Sequence, residues 1–223
     1  MNINQKIIEV SIIIPVYNRI NFISRAMTSV FEQTFKNYEL IIIDDGSTDS
    51  VEERIFPEIK KKDYIKYLRH SNIGTPLSLN SGIKLSEGKF ITFLDSDDEY
   101  MKNHIEERVE YFKNNPETDL IYSPAKIIGE ADDFFVPDAV NPKKLINIEN
   151  CFIGATFFGK AEVFGKLKGF KNIYGYDYEL YKRAEKKFKV ARFDLRTYVY
   201  YRNTTDGIIN VMKRNLFLNT EER

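Results

Sequence analysis

Phe90-Ile91-Thr92-Phe93-Leu94-Asp95-Ser96-Asp97-Asp98 sets an apolar run directly against three carboxylates. The first five residues have the apolar, aromatic-rich character of a strand buried on both faces. Three carboxylates within four residues repel one another and cannot all be buried unpaired. At the mouth of a buried strand they read as a platform for positive charge. A divalent metal carrying a diphosphate fits, because hard Mg²⁺ or Mn²⁺ takes one or two carboxylates plus phosphate oxygens. A solvated acidic loop capping the next helix is the plainer alternative. The cluster alone does not separate the two, so its surroundings must.

Upstream, strands and helices alternate. Val10 to Pro15 is an apolar strand, and Asn21 to Gln33 a helix with Phe22, Ile23, Ala26, Met27, Val30 and Phe31 on one stripe. Strand Tyr38 to Ile43 leads into the turn Asp44-Asp45-Gly46-Ser47 and a helix near Asp49 to Lys62. Strand Ile65 to Leu68 and helix Thr75 to Leu85 follow, and Gly88 turns the chain into Phe90 to Leu94. Continuous apolar strands alternating with helices predict an α/β fold, a mostly parallel sheet covered on both faces. Such sheets bind ligands beyond the C-terminal ends of their strands. Val16-Tyr17-Asn18-Arg19, Asp44 to Ser47 and Asp95 to Asp98 all fall there, on one rim.

The second half is less regular. It predicts a helix over His104 to Asn114, short strands at Leu120 to Tyr122, Lys126 to Ile128 and Phe134 to Pro137, and a mobile acidic turn at Glu130 to Asp133. Ala155 to Phe158 reads as a strand, Asp177 to Lys187 as a helix, and Val190 to Phe193 and Thr197 to Tyr201 as strands. Gly207 to Leu218 reads as a terminal helix. No repeat or linker interrupts the chain, so residues 1–223 are expected to form one domain.

Composition narrows the function. With 43% hydrophobic and 30% charged residues the chain is an ordinary globular one. Lys plus Arg and Asp plus Glu both total 33, which argues against nucleic acid as the main partner. The single Cys151 excludes an intramolecular disulfide and a cysteine-rich zinc site. The apolar runs are strand-sized and no secretory signal is visible, so the expected location is cytoplasmic. The apolar, basic stretch Ile208 to Leu218 allows peripheral membrane contact, though packing on the sheet or a second subunit explains it as well.

Val10-Ser11-Ile12-Ile13-Ile14-Pro15-Val16-Tyr17-Asn18-Arg19 resembles the opening of the family 2 inverting glycosyltransferases, which have the GT-A fold. The likeness continues through Leu40 to Asp49, Asn72-Ile73-Gly74, Asn80-Ser81-Gly82 and Gly88 to Asp98. Each motif is weak alone; the ordered set is specific. It covers about the first hundred residues closely, and Ile121 to Lys126 and Gly175 to Leu180 extend it more loosely. The resemblance implies a nucleotide-binding half, about 1–100, and an acceptor-side half, about 101–223. It implies a nucleotide-diphosphate sugar donor, a UDP-sugar first among them, and a hydroxyl acceptor on a glycan, lipid or other molecule.

By resemblance, Pro15, Tyr17, Asp45, Asp95 and Ser96 lie at the nucleotide, Asp97 holds Mn²⁺ or Mg²⁺, and Asp177 is the catalytic base. The chemistry agrees with the residue types. A tyrosine ring stacks on any base for about 1–3 kcal/mol. A carboxylate at position 45 accepts a base or ribose donor, and a bound divalent ion neutralises the leaving diphosphate as a Lewis acid. Each has a plainer alternative: Tyr17 a surface aromatic, Asp44 a turn-orienting group, Ser47 or Asp49 a helix cap, Asp98 a support for its turn. Asp177 at a helix start also reads as an N-cap, where the helix dipole would lower its pKa and weaken it as a base. Glu179 is the alternative base.

Departures from the pattern matter. Tyr201-Arg202 lacks the histidine that follows in many relatives, and Leu79 stands where an arginine often precedes the asparagine. His70 and His104 read as surface or capping residues. Arg202, Lys126 and Arg69 are open candidates for phosphate charge. Two rival functions remain: a sugar nucleotidyltransferase, disfavoured by the absence of a Gly-rich basic loop after the first strand, and a nucleotide-sugar-binding domain without turnover.

Overall fold

The computed structural model describes residues 7–204 together with Asn210, Met212 and Lys213. Its first half alternates as predicted: β1 (Val10–Val16), α1 (Ile23–Phe31), β2 (Tyr38–Asp44), α2 (Glu52–Ile59), β3 (Ile65–Arg69), α3 (Thr75–Leu85) and β4 (Phe90–Phe93). β4, β1, β2 and β3 are parallel neighbours in that order. The reason is visible in the strand residues. Ile12 and Ile14 face one core with Leu40 and Ile42, under α1 residues Ile23, Ala26, Met27 and Val30. Ile13 faces the other core with Ile41, Ile43, Ile91 and Phe93, together with Leu79 of α3. Both faces are covered, so most positions along these strands are apolar, and buried Ser11 and Thr92 are satisfied by Glu39 at 2.6 Å and the Phe157 carbonyl at 2.9 Å. Each fully buried isoleucine contributes about 1.5–3 kcal/mol relative to an exposed one.

The second half completes this sheet and adds two smaller ones. It comprises β5 (Glu99–Tyr100), α4 (His104–Asn114), β6 (Leu120–Tyr122), β7 (Lys126–Ile128), β8 (Phe135–Pro137), β9 (Leu145–Asn147), β10 (Phe158–Lys160), α5 (Ala161–Lys166), α6 (Tyr176–Ala184), β11 (Val190–Arg192) and β12 (Tyr198–Tyr201). The main sheet runs β11-β6-β10-β4-β1-β2-β3, a mostly parallel α/β arrangement in which β10 is antiparallel to both its neighbours. β12 lies between β5 and β7 in a second sheet, and β8 pairs with β9.

Several expectations are corrected. Ala155 to Phe158 is not one strand: Gly154–Thr156 is a 3-10 turn, closed by the Thr156 hydroxyl on the Ile153 carbonyl at 2.8 Å, and the strand begins at Phe158. The acidic turn is compact, a 3-10 turn over Ala131–Phe134 whose ends Glu130 and Asp133 cap reciprocally. His104 is fully buried, stacked on Tyr100 with ring centroids 3.7 Å apart. β5, β9 and α5 are too short to show a period in sequence. The predicted terminal helix, Gly207 to Leu218, lies largely outside the described residues.

Small residues set the layer spacing. A Cβ on Gly82 of α3 would lie 2.4 Å from Ile13, so the helix rests directly on β1. Asn80, two residues earlier, clasps the second half: its amide nitrogen donates to the Phe170 carbonyl at 2.8 Å, and its oxygen accepts the Phe170 amide at 2.7 Å.

Candidate active site

The loops after β1, β2 and β4 meet on one rim. The Asn18 amide donates to Ser47 Oγ at 3.0 Å, Asn18 Oδ1 accepts the Thr48 amide at 2.7 Å, and Asp49 accepts the Ile20 amide at 2.8 Å. Asp49 also accepts the Val51 amide just ahead of α2 at 3.2 Å. Pro15 sits past the last β1 residue paired with β4, where its missing N–H leaves no ladder bond unmade. Tyr17 follows with its ring 46% exposed, free to meet a planar ligand.

Asp44 and Asp45 divide the labour. Asp44 is fully buried, accepting the Ser47 amide at 2.8 Å and the Tyr67 hydroxyl at 2.7 Å, so it orients the turn. Asp45 accepts the Ile73 and Gly74 amides at 2.7 and 2.9 Å, beside His70 at 3.3 Å. That explains Asn72-Ile73-Gly74: its backbone holds this carboxylate. Two oxygens offer about four acceptor sites, so capacity remains for one ligand donor. Gly46 permits the turn, with φ +79° and a would-be Cβ 2.8 Å from the Asn72 nitrogen.

The acidic turn after β4 separates by residue. Asp98 is wholly buried and occupied, accepting the Tyr198 hydroxyl at 2.6 Å and the Tyr201 amide at 2.8 Å. Asp97 faces Arg19, with Nε 3.6 Å from its carboxylate, and its carbonyl accepts the Arg25 guanidinium. Burial, with the charges of Asp97 and Asp177, pushes Asp95 up to about 7. Ser96, buried between them, completes the turn.

Asp177 enters from α6, in the other half, yet its charge is felt at Asp95. Gly175, at φ +68°, turns the chain into this helix. Asp177 accepts the Tyr178 amide at 2.8 Å and the Gly154 amide at 3.3 Å. Residue 154 must be small, since a Cβ there would lie 2.8 Å from the Asp177 Cβ. Burial raises the Asp177 pKa above the ordinary carboxylate value, outweighing those amide bonds. The expected lowering by the helix N-terminus is therefore reversed. Glu179 behaves oppositely: burial works to raise it, but bonds to Arg183 and Lys171 hold it low.

The three basic candidates separate as well. Arg69 donates to the Ser47 carbonyl at 2.6 Å and lies 3.7 Å from Asp44. Lys126 lines a different cleft with Arg25, Glu99 and Tyr201. Arg202 is buried, donating to the Asp133 carbonyl and to Asn210.

Asp95 and Asp97 fit a hard divalent ion. Their mutual repulsion, which helps raise Asp95, is relieved by a cation. Among the described residues no group of three or more His, Cys, Asp or Glu side chains could hold a metal, so phosphate oxygens would complete the coordination.

Residues 11–171 match the model of Glycosyl transferase family 2. The chain belongs to that family. An uncharacterized glycosyltransferase of Rickettsia conorii is 48% identical over 107 residues, 48% of this chain and 18% of that protein. The Escherichia coli UDP-Glc:alpha-D-GlcNAc-diphosphoundecaprenol beta-1,3-glucosyltransferase WfgD is 34% identical over 150 residues, 65% of this chain and 57% of WfgD. The match thus spans only about a fifth of the Rickettsia relative. A mannosyltransferase from Pyrobaculum calidifontis, solved with GDP-Man and Mn²⁺, superposes with TM-score 0.71 over 96% of this chain and 64% of its own, at 14% identity. The fold is that of GT-A glycosyltransferases.

The family resemblance drew attention to the motif residues but passed over their holders. Gly154 and Tyr198 carry no motif signature. For Tyr198, the run of three tyrosines in Tyr198-Val199-Tyr200-Tyr201 was the one available signal.

Proposed function

We propose that this chain is a metal-dependent, inverting glycosyltransferase that moves a sugar, a hexose or a close relative, from a nucleotide-diphosphate donor to a hydroxyl of a glycan or lipid-linked acceptor. The carrying observation is the Asp177 carboxylate, raised by burial and electrostatically coupled to Asp95 across the two halves. A pKa raised above the ordinary carboxylate value makes Asp177 a stronger base than a solvated aspartate.

In this reading Tyr17 stacks on the base and Asp45 accepts a base or ribose donor, beside Pro15. Asp95 and Ser96 face the ribose–phosphate portion, and Asp97 would hold Mn²⁺ or Mg²⁺. That ion, when bound, supplies positive charge to the leaving group. The acceptor oxygen forms its bond to the anomeric carbon from the face opposite the diphosphate. As the carbon–phosphate-oxygen bond breaks, Asp177 takes the acceptor proton, and the nucleoside diphosphate leaves with the bonding pair. WfgD, whose name specifies UDP-Glc and a diphosphoundecaprenol acceptor, supports a UDP-sugar and a lipid-linked substrate in polysaccharide assembly.

Calorimetry of UDP binding with and without Mn²⁺ tests the donor side, followed by a donor screen and NMR assignment of the product anomer. Metal-dependent binding and an inverted anomer are expected. No nucleotide-diphosphate binding in the presence of Mn²⁺ overturns the proposal.

A further inference from the structure

The acidic turn is gripped from a strand about a hundred residues later in the chain. Tyr198 of β12 is fully buried, and its hydroxyl makes two bonds to the turn. It accepts the Asp95 amide at 3.2 Å and donates to Asp98 Oδ2 at 2.6 Å. The other Asp98 oxygen accepts the Tyr201 amide at 2.8 Å, while the Asp98 amide closes the turn on the Asp95 carbonyl at 3.1 Å. Antiparallel pairing of Tyr198 with Tyr100 fixes β12 against β5, the strand immediately after the turn. Both ends of the turn are therefore bound to β12, and Asp98 has neither a free oxygen nor exposure to offer a ligand.

We infer that Tyr198 and Asp98 are positioning residues, which hold Asp95 and Asp97 in the arrangement that receives the metal–diphosphate. The inference rests on the donor-site reading above. Neither side chain touches the nucleotide; they act through the turn. Removing the Tyr198 hydroxyl leaves the Asp95 amide and one Asp98 oxygen without these partners, and the turn loses its register while the surrounding core keeps its shape.

The test is UDP binding by calorimetry, titrated with Mn²⁺, on the unaltered protein, Tyr198→Phe and a control, Tyr38→Phe. Tyr38 also carries a buried hydroxyl, donating to the Val30 carbonyl at 2.9 Å, but at the opposite end of the sheet. Both variants are expected to melt slightly earlier. Only Tyr198→Phe should need about tenfold more Mn²⁺ for half-maximal UDP binding. Asp98→Asn, which keeps the shape and converts one acceptor into a donor, should shift the requirement the same way by about threefold, and it serves if Tyr198→Phe does not fold. An unshifted Mn²⁺ requirement in the folded variants, or an equal shift in Tyr38→Phe, overturns the inference. Absence of metal-dependent UDP binding in the unaltered protein removes the functional reading and this inference together.

Discussion

The rim beyond β1, β2 and β4 and the second half of the chain solve the problem of placing carboxylates in different ways. On the rim, Asp44, Asp45 and Asp49 are held by turn and loop amides, and the loops brace one another through Asn18 and Ser47. Across the cleft, Asp177 depends on two amides and on the absence of a side chain at Gly154. The first arrangement stabilises charge with several donors. In the second, burial outweighs the two amide bonds and raises the carboxylate pKa. In the proposed function, binding uses the former and proton abstraction the latter.

If this division is right, changes in the two regions should affect different observables. The largest effect is expected for Asp177→Asn: kcat falls about 10³-fold, within the range for a general base, while UDP binding by calorimetry is retained. Normal turnover would remove Asp177 from its role. Asp97→Ala should instead weaken Mn²⁺-dependent UDP binding by about two orders of magnitude, with metal-free binding unaltered.

Gly154→Ala sharpens the contrast without changing any charge. The new methyl would press on the Asp177 Cβ, and kcat should drop about tenfold with donor affinity intact. Gly82→Ala overpacks α3 against Ile13 at the layer between them. It should cost about 1–3 kcal/mol in denaturant unfolding, lowering Tm.

The smallest effect is on pH. Folding raises Asp95 to about 7, so its contribution to stability is complete in acid and is lost as pH rises through 7. Melting of the metal-free protein should therefore show Asp95→Asn gaining a few degrees over the unaltered chain at pH 8 and nothing at pH 4. Equal gains at both values would contradict the burial and repulsion that raise Asp95.

How much of this could be read from sequence follows from the range of the interactions. Strands β1, β2 and β4 are legible because burial on both faces demands largely apolar runs such as Ile12 to Ile14 and Leu40 to Ile43. The boundaries of α3 and α4 match their expected residues, Thr75–Leu85 and His104–Asn114. The pairing of Asp45 with residues 73 and 74 was visible only as two separate motifs, since no local pattern announces a bond across 28 positions. Ala155 to Phe158 reads as one strand in sequence, and His104 as a surface or capping residue, because partners in distant segments decide both. The pKa of Asp177 was the least legible property. Its helix position argued for a lower value, and burial by other segments reversed the sign.

The clasp between Asn80 and Phe170 works as a gauge block. It joins α3, seated on β1 through Gly82, to the segment that runs from Phe170 into the turn at Gly175 and on to Asp177. A Cβ on Gly169 would strike the Asn80 side chain, so nothing bulkier can loosen that joint. The same segment is also tied to the stretch that carries β8 and β9, where Tyr174 donates to the Pro137 carbonyl at 2.6 Å and Gly175 lies against Ala139. A change in that stretch would therefore reach Asp177 through the Tyr174 tether, while the Asn80 clasp holds the other side of the joint.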